Sequence, residues 1–221
     1  MRLVQERSDD FLRLKLNRPE QRNAMDEAMV TALLEALSAE PSVPVLLGSA
    51  DPTIFSAGAD LRVSDAERTR LSDLLYQCYA VMITRPGPVI AVASGPAVGG
   101  GAQLVSAADL RISSAGARFR WVGPGHGLAV GAWILPALIG RSAAMDLLLT
   151  SRWLDAEEAH RLGFTTLADD PWAAAEQAVT HIASLVSDAV ARIKAVTAME
   201  GLLERLDAER TGNSSNWSGA V

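Results

Sequence analysis

The chain of 221 residues has one cysteine and three histidines, and it has no excess of basic residues. The lone Cys78 excludes an internal disulfide and any cysteine-built metal cluster. His126, His160 and His181 stand too far apart to set out a metal-ligand pattern. Twenty Lys and Arg face 26 Asp and Glu, for a net charge of -6, and the arginines are scattered, so the electrostatic footprint of a nucleic-acid binder is missing. No apolar run is long enough to span a bilayer, and the opening MRLVQERSDD is too polar for a signal peptide. There is no repeat, linker or low-complexity stretch. These absences leave the expectation of a soluble cytoplasmic protein that needs no metal and no nucleic acid.

What is present is apolar content for a real core, 49% of residues, in a length that fits one domain or one domain with a small appendage. FLRLKLN alternates and predicts a strand; PVLLGSA and PVIAVAS predict short buried strands, and LRISSA and RFRWV further ones. DEAMVTALLEALSA predicts a helix capped by Asp26, and SDAERTRLSDLLYQCYAVMITR a long helix ending before Pro86. GAQLVSAAD, AVGAWILPALIG, SAAMDLLLTS and DAEEAHRLG are helical segments, the last with Asp155 as cap and Glu158 completing a capping box. Two helices close the chain, WAAAEQAVTHIASL and DAVARIKAVTAMEGLLERLDAER, before a polar, loose tail TGNSSNWSGAV. Early strands alternating with helices, followed by a helical last third, read as α/β.

Two buried strands are each followed by glycines: FSAGADL after PVLLGSA, and GPAVGGGAQL after PVIAVAS. Bare backbone serves tight helix–strand packing, and it also lets a ligand approach the chain closely. A helix that starts after the glycines presents unpaired N–H groups, and two such groups converging would stabilise charge on a carbonyl oxygen. A P-loop is excluded because no Gly-Lys-Ser/Thr follows, and the dinucleotide spacing G-x-G-x-x-G is absent.

Taken together, LNRPEQRNAM, FSAGADL, GPAVGGGAQLVSAADLRI and LIGRSAAMDLLLTSRWLDAEEAHRLG closely resemble the enoyl-CoA hydratase/isomerase (crotonase) family, from about Leu14 to Leu167. The resemblance implies a spiral of ββα units over residues 1–165, carrying an acyl-CoA site, and a C-terminal helical region over 166–221 that packs a homotrimer. It implies that the Ala59 and Gly100 amides form an oxyanion hole for an acyl-CoA thioester. It also implies that Ala57, Asp60 and Leu61 line the coenzyme A groove and that Arg22 and Ala24 lie toward the nucleotide end. Coenzyme A enters as part of the ligand, and no separate cofactor is expected.

The sequence departs from the family where hydratases carry two glutamates. Gln103 holds the first position and Gly123 the second, matching Phe119 to the family phenylalanine; the loop WVGPGHGLAVGAW is about three residues short. Neither Gln103 nor Gly123 can exchange a proton near neutral pH. His126 is the candidate replacement base, in a glycine-flanked loop, with solvation or plain hydrogen bonding as its alternative. Trp121 and Trp133 either wall an acyl pocket or belong to the core. Asp146 and Arg120 read as structural or surface residues. Two functional readings stand: an acyl-CoA binder with little hydratase activity, or an active hydratase- or isomerase-type enzyme with nonstandard residues.

Overall fold

The computed structural model describes residues 1–214. In chain order the elements are β1 Leu3–Arg7, β2 Leu12–Leu16, α1 Glu27–Ala39, β3 Val45–Ser49, α2 Asp65–Thr84, β4 Val89–Ala93, β5 Ala97–Val98, α3 Gly100–Ala107, β6 Leu110–Ser113, β7 Arg118–Arg120, α4 Leu135–Ile139, α5 Arg141–Thr150, β8 Leu154–Asp155, α6 Ala156–Arg161, β9 Thr166–Leu167, α7 Pro171–Ala183, α8 Ser187–Val196 and α9 Leu202–Ser214. Six strands make one sheet in the order β1-β2-β3-β4-β6-β9. The β1–β2 pair is antiparallel and the other pairs are parallel. A small second sheet, β5-β7-β8, stands beside it. This is the α/β class that the alternation of elements implies.

The large sheet buries both faces, which is why β3 and β4 read as continuous apolar runs. Val45 and Leu47 face the main core with α1 and α2. Leu46, Ile90 and Val92 point the other way, onto Ala175 and Val179 of α7. Asp26 caps α1 by accepting from Met29 N at 3.0 Å. Ser64 and Glu67 form a reciprocal capping box at the start of α2.

Several local expectations need correction. The polar segment Leu3–Arg7 is an edge strand, with only Leu3 buried, so its pattern hides it. The segment AVGAWILPALIG is helical only over Leu135–Ile139. The last predicted helix is two: α8 stops at Val196, and Gly201, at φ +67°, turns the chain before α9. α9 then runs into the segment expected to be loose, burying Asn213; residues 215–221 lie outside the described residues. Asp155 caps α6, but Glu158 turns its carboxylate to Arg152 at 2.7 and 2.8 Å instead of closing a capping box. Among the described residues no helix is long and apolar enough to cross a membrane.

Asn23 fixes the loops that leave the sheet. It is fully buried at φ 51°, accepts from Arg18 N at 2.7 Å, and donates to Ser49 Oγ and Phe55 O at 2.7 and 3.0 Å. Asparagine tolerates the left-handed region and still supplies a donor and an acceptor. Asn23→Ala strands a buried carbonyl and strains the backbone, so urea unfolding should show a loss of about 2–4 kcal/mol. A loss under about 0.5 kcal/mol would remove Asn23 as the organiser of these loops.

Candidate functional site

Two backbone segments meet beyond the C-terminal ends of β3 and β4. Phe55 N and Ser56 N donate to Pro96 O at 2.9 and 3.2 Å, and Val98 N donates to Ser56 O at 2.9 Å. A third segment laces in from the side: Ala57 N donates to Arg22 O, Met25 N to Gly58 O and Asp60 N to Met25 O, at 2.8–2.9 Å. Glycine is required where these segments touch. A Cβ on Gly101 would lie 2.8 Å from Ser56 Cβ, and one on Gly58, at φ +96°, would lie 2.9 Å from Val98 O and 3.5 Å from Gly100 N. Both distances to Ser56 Cβ and Val98 O are shorter than packed atoms tolerate. The glycines therefore serve packing, and that packing brings residues 58–59 against residue 100.

A cavity of about 90 Å³ opens between these segments, α2 and the 122–130 loop. Ala59 and Gly100 both line it. Gly100 is the first residue of α3, where an amide has no intrahelical acceptor. On either side of Ala59, Gly58 N donates to Ser56 Oγ and Asp60 N to Met25 O. Among the described residues neither the Ala59 nor the Gly100 amide has an acceptor.

Gln103 lies one helical turn into the same wall, and its orientation is set by chemistry. Trp133 Nε1, which can only donate, gives its hydrogen to Gln103 Oε1 at 2.6 Å. The Tyr76 hydroxyl donates to Glu209 Oε1 at 2.8 Å. Asn213 Nδ2 donates to the same hydroxyl at 3.0 Å. Glu209 accepts further from Gly131 N and Trp133 N at 3.0 and 3.1 Å. Burial pushes the Glu209 carboxyl above its ordinary value, opposed by these donors. Burial likewise raises the Tyr76 and Tyr79 hydroxyls, which stay protonated; Tyr79 donates to Gly100 O at 3.1 Å.

The sequence candidates separate cleanly. Ala57, Ala59, Leu61, Gly100, Gln103 and His126 line one cavity. Asp60 stays off that lining: it is buried, paired with Arg18 at 2.7 Å and Arg62 at 3.1 Å, and the Arg62 guanidinium holds its carboxyl far below the usual range. Arg22 is exposed, and it and Ala24 lie in the lacing segment outside the cavity. Gly123 is buried, and its carbonyl accepts from His126 N and Leu128 N. Trp121 and Trp133 are buried core residues, off the cavity lining. Trp121 packs edge-on to Phe164, and Trp133 stacks on Tyr79 behind the wall. Asp146 accepts from Arg152 at 2.6 Å on the surface, and Arg120 lies over Trp153.

Sequence reading missed four cavity or near-cavity residues: Ser72, Tyr76, Glu209 and Asn213. Ser72 and Tyr76 are one turn apart on α2, four residues in spacing, a pair that reads as ordinary amphipathic pattern. Glu209 and Asn213 continue the inward stripe of Leu202 and Leu206 on α9, and the signal was a polar pair in an apolar phase.

The chain matches the family model described as enoyl-CoA hydratase/isomerase over residues 6–217. It is 34% identical over 200 residues to a Mycobacterium leprae protein named probable enoyl-CoA hydratase echA6, covering 82% of this chain and 81% of that one. It is 33% identical over 211 residues to that organism's echA8, likewise named a probable enoyl-CoA hydratase, covering 86% and 81%. Among solved structures, the Bacillus halodurans enoyl-CoA hydratase superposes with a TM-score of 0.87 at 25% identity, covering 98% of this chain and 94% of that one. An enoyl-CoA hydratase/isomerase from Mycobacterium paratuberculosis gives 0.89 at 25%, covering 98% and 93%.

The contact between the two glycine segments can be tested without a ligand. Gly101→Ala pushes a methyl into the Ser56 backbone and should lower stability by about 1–3 kcal/mol in urea. An unchanged midpoint would mean that the segments do not touch as described.

Proposed function

The chain belongs to the enoyl-CoA hydratase/isomerase family, and on that footing we propose a cytoplasmic acyl-CoA-binding protein of fatty-acid metabolism whose hydratase activity is weak or absent. One observation carries this reading: the Ala59 and Gly100 amides face one cavity and neither has an acceptor among the described residues. Both residues are half-buried, and two amides without a protein acceptor on one cavity leave room for a ligand carbonyl that accepts from both. In this reading the thioester oxygen accepts from both, and the two form an oxyanion hole. Each such donor is worth about 3–4 kcal/mol toward charge growing on that oxygen. Ala57 and Leu61 flank the thiol arm of coenzyme A, Asp60 holds that loop through its arginines, and exposed Arg22 with Ala24 lies toward the nucleotide end.

Hydration needs one group to take a proton from water and another to give one to the α-carbon. No carboxylate among the described residues lines the cavity. Gln103 stands where a family acid is expected, and its Oε1 accepts from Trp133 Nε1. Gly123 offers no side chain. General acid–base groups contribute roughly 10²–10⁴-fold, and that factor is missing here. Binding outlasts turnover under those conditions. The second reading, an active hydratase- or isomerase-type enzyme, rests on His126, which lines the same cavity.

Calorimetry with an acyl-CoA series should detect binding. Gly100→Pro, at a helix position that tolerates proline, should weaken it about tenfold or more by deleting one amide hydrogen. No affinity of the wild type for any acyl-CoA sinks the proposal. Hydration of crotonyl-CoA should stay near background. Ordinary enzymatic rates that His126→Ala abolishes, with binding intact, would replace the binder reading with the catalytic one.

The family also motivates a homotrimer in this proposal. α8 and its cap expose Val186, Ile193 and Val196 at 72%, 64% and 84%. Apolar side chains clustered on one helix favour an interface. Light scattering at micromolar concentration should give about three times 23.4 kDa; the mass of one chain would refute it.

A further inference from the structure

We propose that Tyr79 and Trp133 form a stacked brace on the first turn of α3, and that Tyr79 is the positioning residue that aims the Gly100 amide into the cavity. This rests on the acyl-CoA reading above.

The first support is the backbone that needs holding. Residues 99–101 are three glycines in a row, so no side chain of their own sets their direction. Such backbone has the most freedom to lose, and an amide that must meet a ligand at one angle gains from being held in advance. One hold is made by backbone: Gly99 N donates to Arg120 O at 2.8 Å. The other is made by a side chain: the Tyr79 hydroxyl donates to Gly100 O at 3.1 Å. Among the described residues it is the one side-chain hydrogen bond that reaches residues 99–101.

The second support is the fixity of the brace. Tyr79 is buried in the cavity wall. Its ring stacks on Trp133 at 6.0 Å with 20° between the planes, and it meets Tyr76 edge-on at 5.6 Å. Trp133 Nε1 donates to Gln103 Oε1 at 2.6 Å, and Gln103 stands one turn along α3 from Gly100. The stacked pair therefore grips both ends of that first turn, phenol on a carbonyl and indole on an amide oxygen. Burial raises the Tyr79 hydroxyl well above its ordinary value, and an indole N–H only donates. Neither donor titrates near neutral pH.

Packing alone accounts for the two rings and leaves their polar atoms without a purpose. A phenylalanine at position 79 would make the same stack with no hydroxyl to desolvate. The helix does not need the hydroxyl either. The first carbonyls of a helix are paired within it, and its first amides are the groups without partners. A donor placed on Gly100 O thus repairs no missing bond. It pins the residue whose amide faces the cavity, and a small error in that direction costs much of what the amide can give.

Difference infrared spectroscopy of butyryl-CoA carrying carbon-13 at the thioester carbon, joined to calorimetry, tests this on the full chain. Tyr79→Phe removes one hydroxyl and keeps the ring. With the site saturated, its bound carbonyl band should lose about half or more of the displacement seen in the wild type. Affinity for butyryl-CoA should fall about three- to tenfold, the worth of one hydrogen bond. Affinity for free coenzyme A, which has no thioester carbonyl, should stay the same. Trp133→Phe should move the band in the same direction. Near-UV circular dichroism checks that each variant is folded; if Tyr79→Phe is not, Trp133→Phe decides. A side chain that only packs would lower the melting temperature and leave the bound band where the wild type has it. That result in a folded variant overturns the proposal, and so does an equal loss of affinity for free coenzyme A. A wild type that binds no thioester sinks the acyl-CoA reading itself, which separates the two failures.

Discussion

The site depends on the approach of two backbone segments so close that a Cβ on Gly58 or Gly101 would collide with the other segment. That contact is made of ordinary backbone hydrogen bonds, with Ser56 paired across to Pro96 and Val98. Its consequence is chemical. Ala59 and Gly100 line one cavity, and neither amide has an acceptor among the described residues. Buried Asn23 and the Arg18–Asp60–Arg62 ion pairs hold the outer side of the same arrangement.

Behind this backbone site lies a network running from Gln103 through Trp133 to Glu209, Tyr76 and Asn213. It joins α2, α3, α9 and the loop that precedes α4. Networks of this kind are stable when each member is paired and costly when one is removed. Gln103 enters it as an acceptor, through the Trp133 indole, and Glu209 enters it through Trp133 N and the Tyr76 hydroxyl.

Much of the fold was legible because its signals are local. Unbroken apolar runs marked β3 and β4, and Asp26 marked the start of α1. The glycines after both strands marked the segments that meet, since close approach selects glycine wherever it occurs. Glu209 and Asn213 were not legible. Their burial depends on the face α9 presents after the turn at Gly201, and a helix read straight through from Asp188 carries the wrong phase. Trp121 and Trp133 were ambiguous for a different reason. An indole beside a cavity and an indole one layer behind it look alike in sequence, and tertiary packing decides.

The central claim is that two backbone amides polarise a thioester carbonyl in a cavity without a proton-transfer carboxylate. The direct measurement is the carbonyl stretch of butyryl-CoA labelled with carbon-13 at the thioester carbon, recorded by difference infrared spectroscopy free and bound. Bound ligand should show the band displaced to lower frequency, with the displacement reduced in Gly100→Pro at concentrations that still saturate the site. A bound ligand whose carbonyl band stays at its solution frequency would contradict the account.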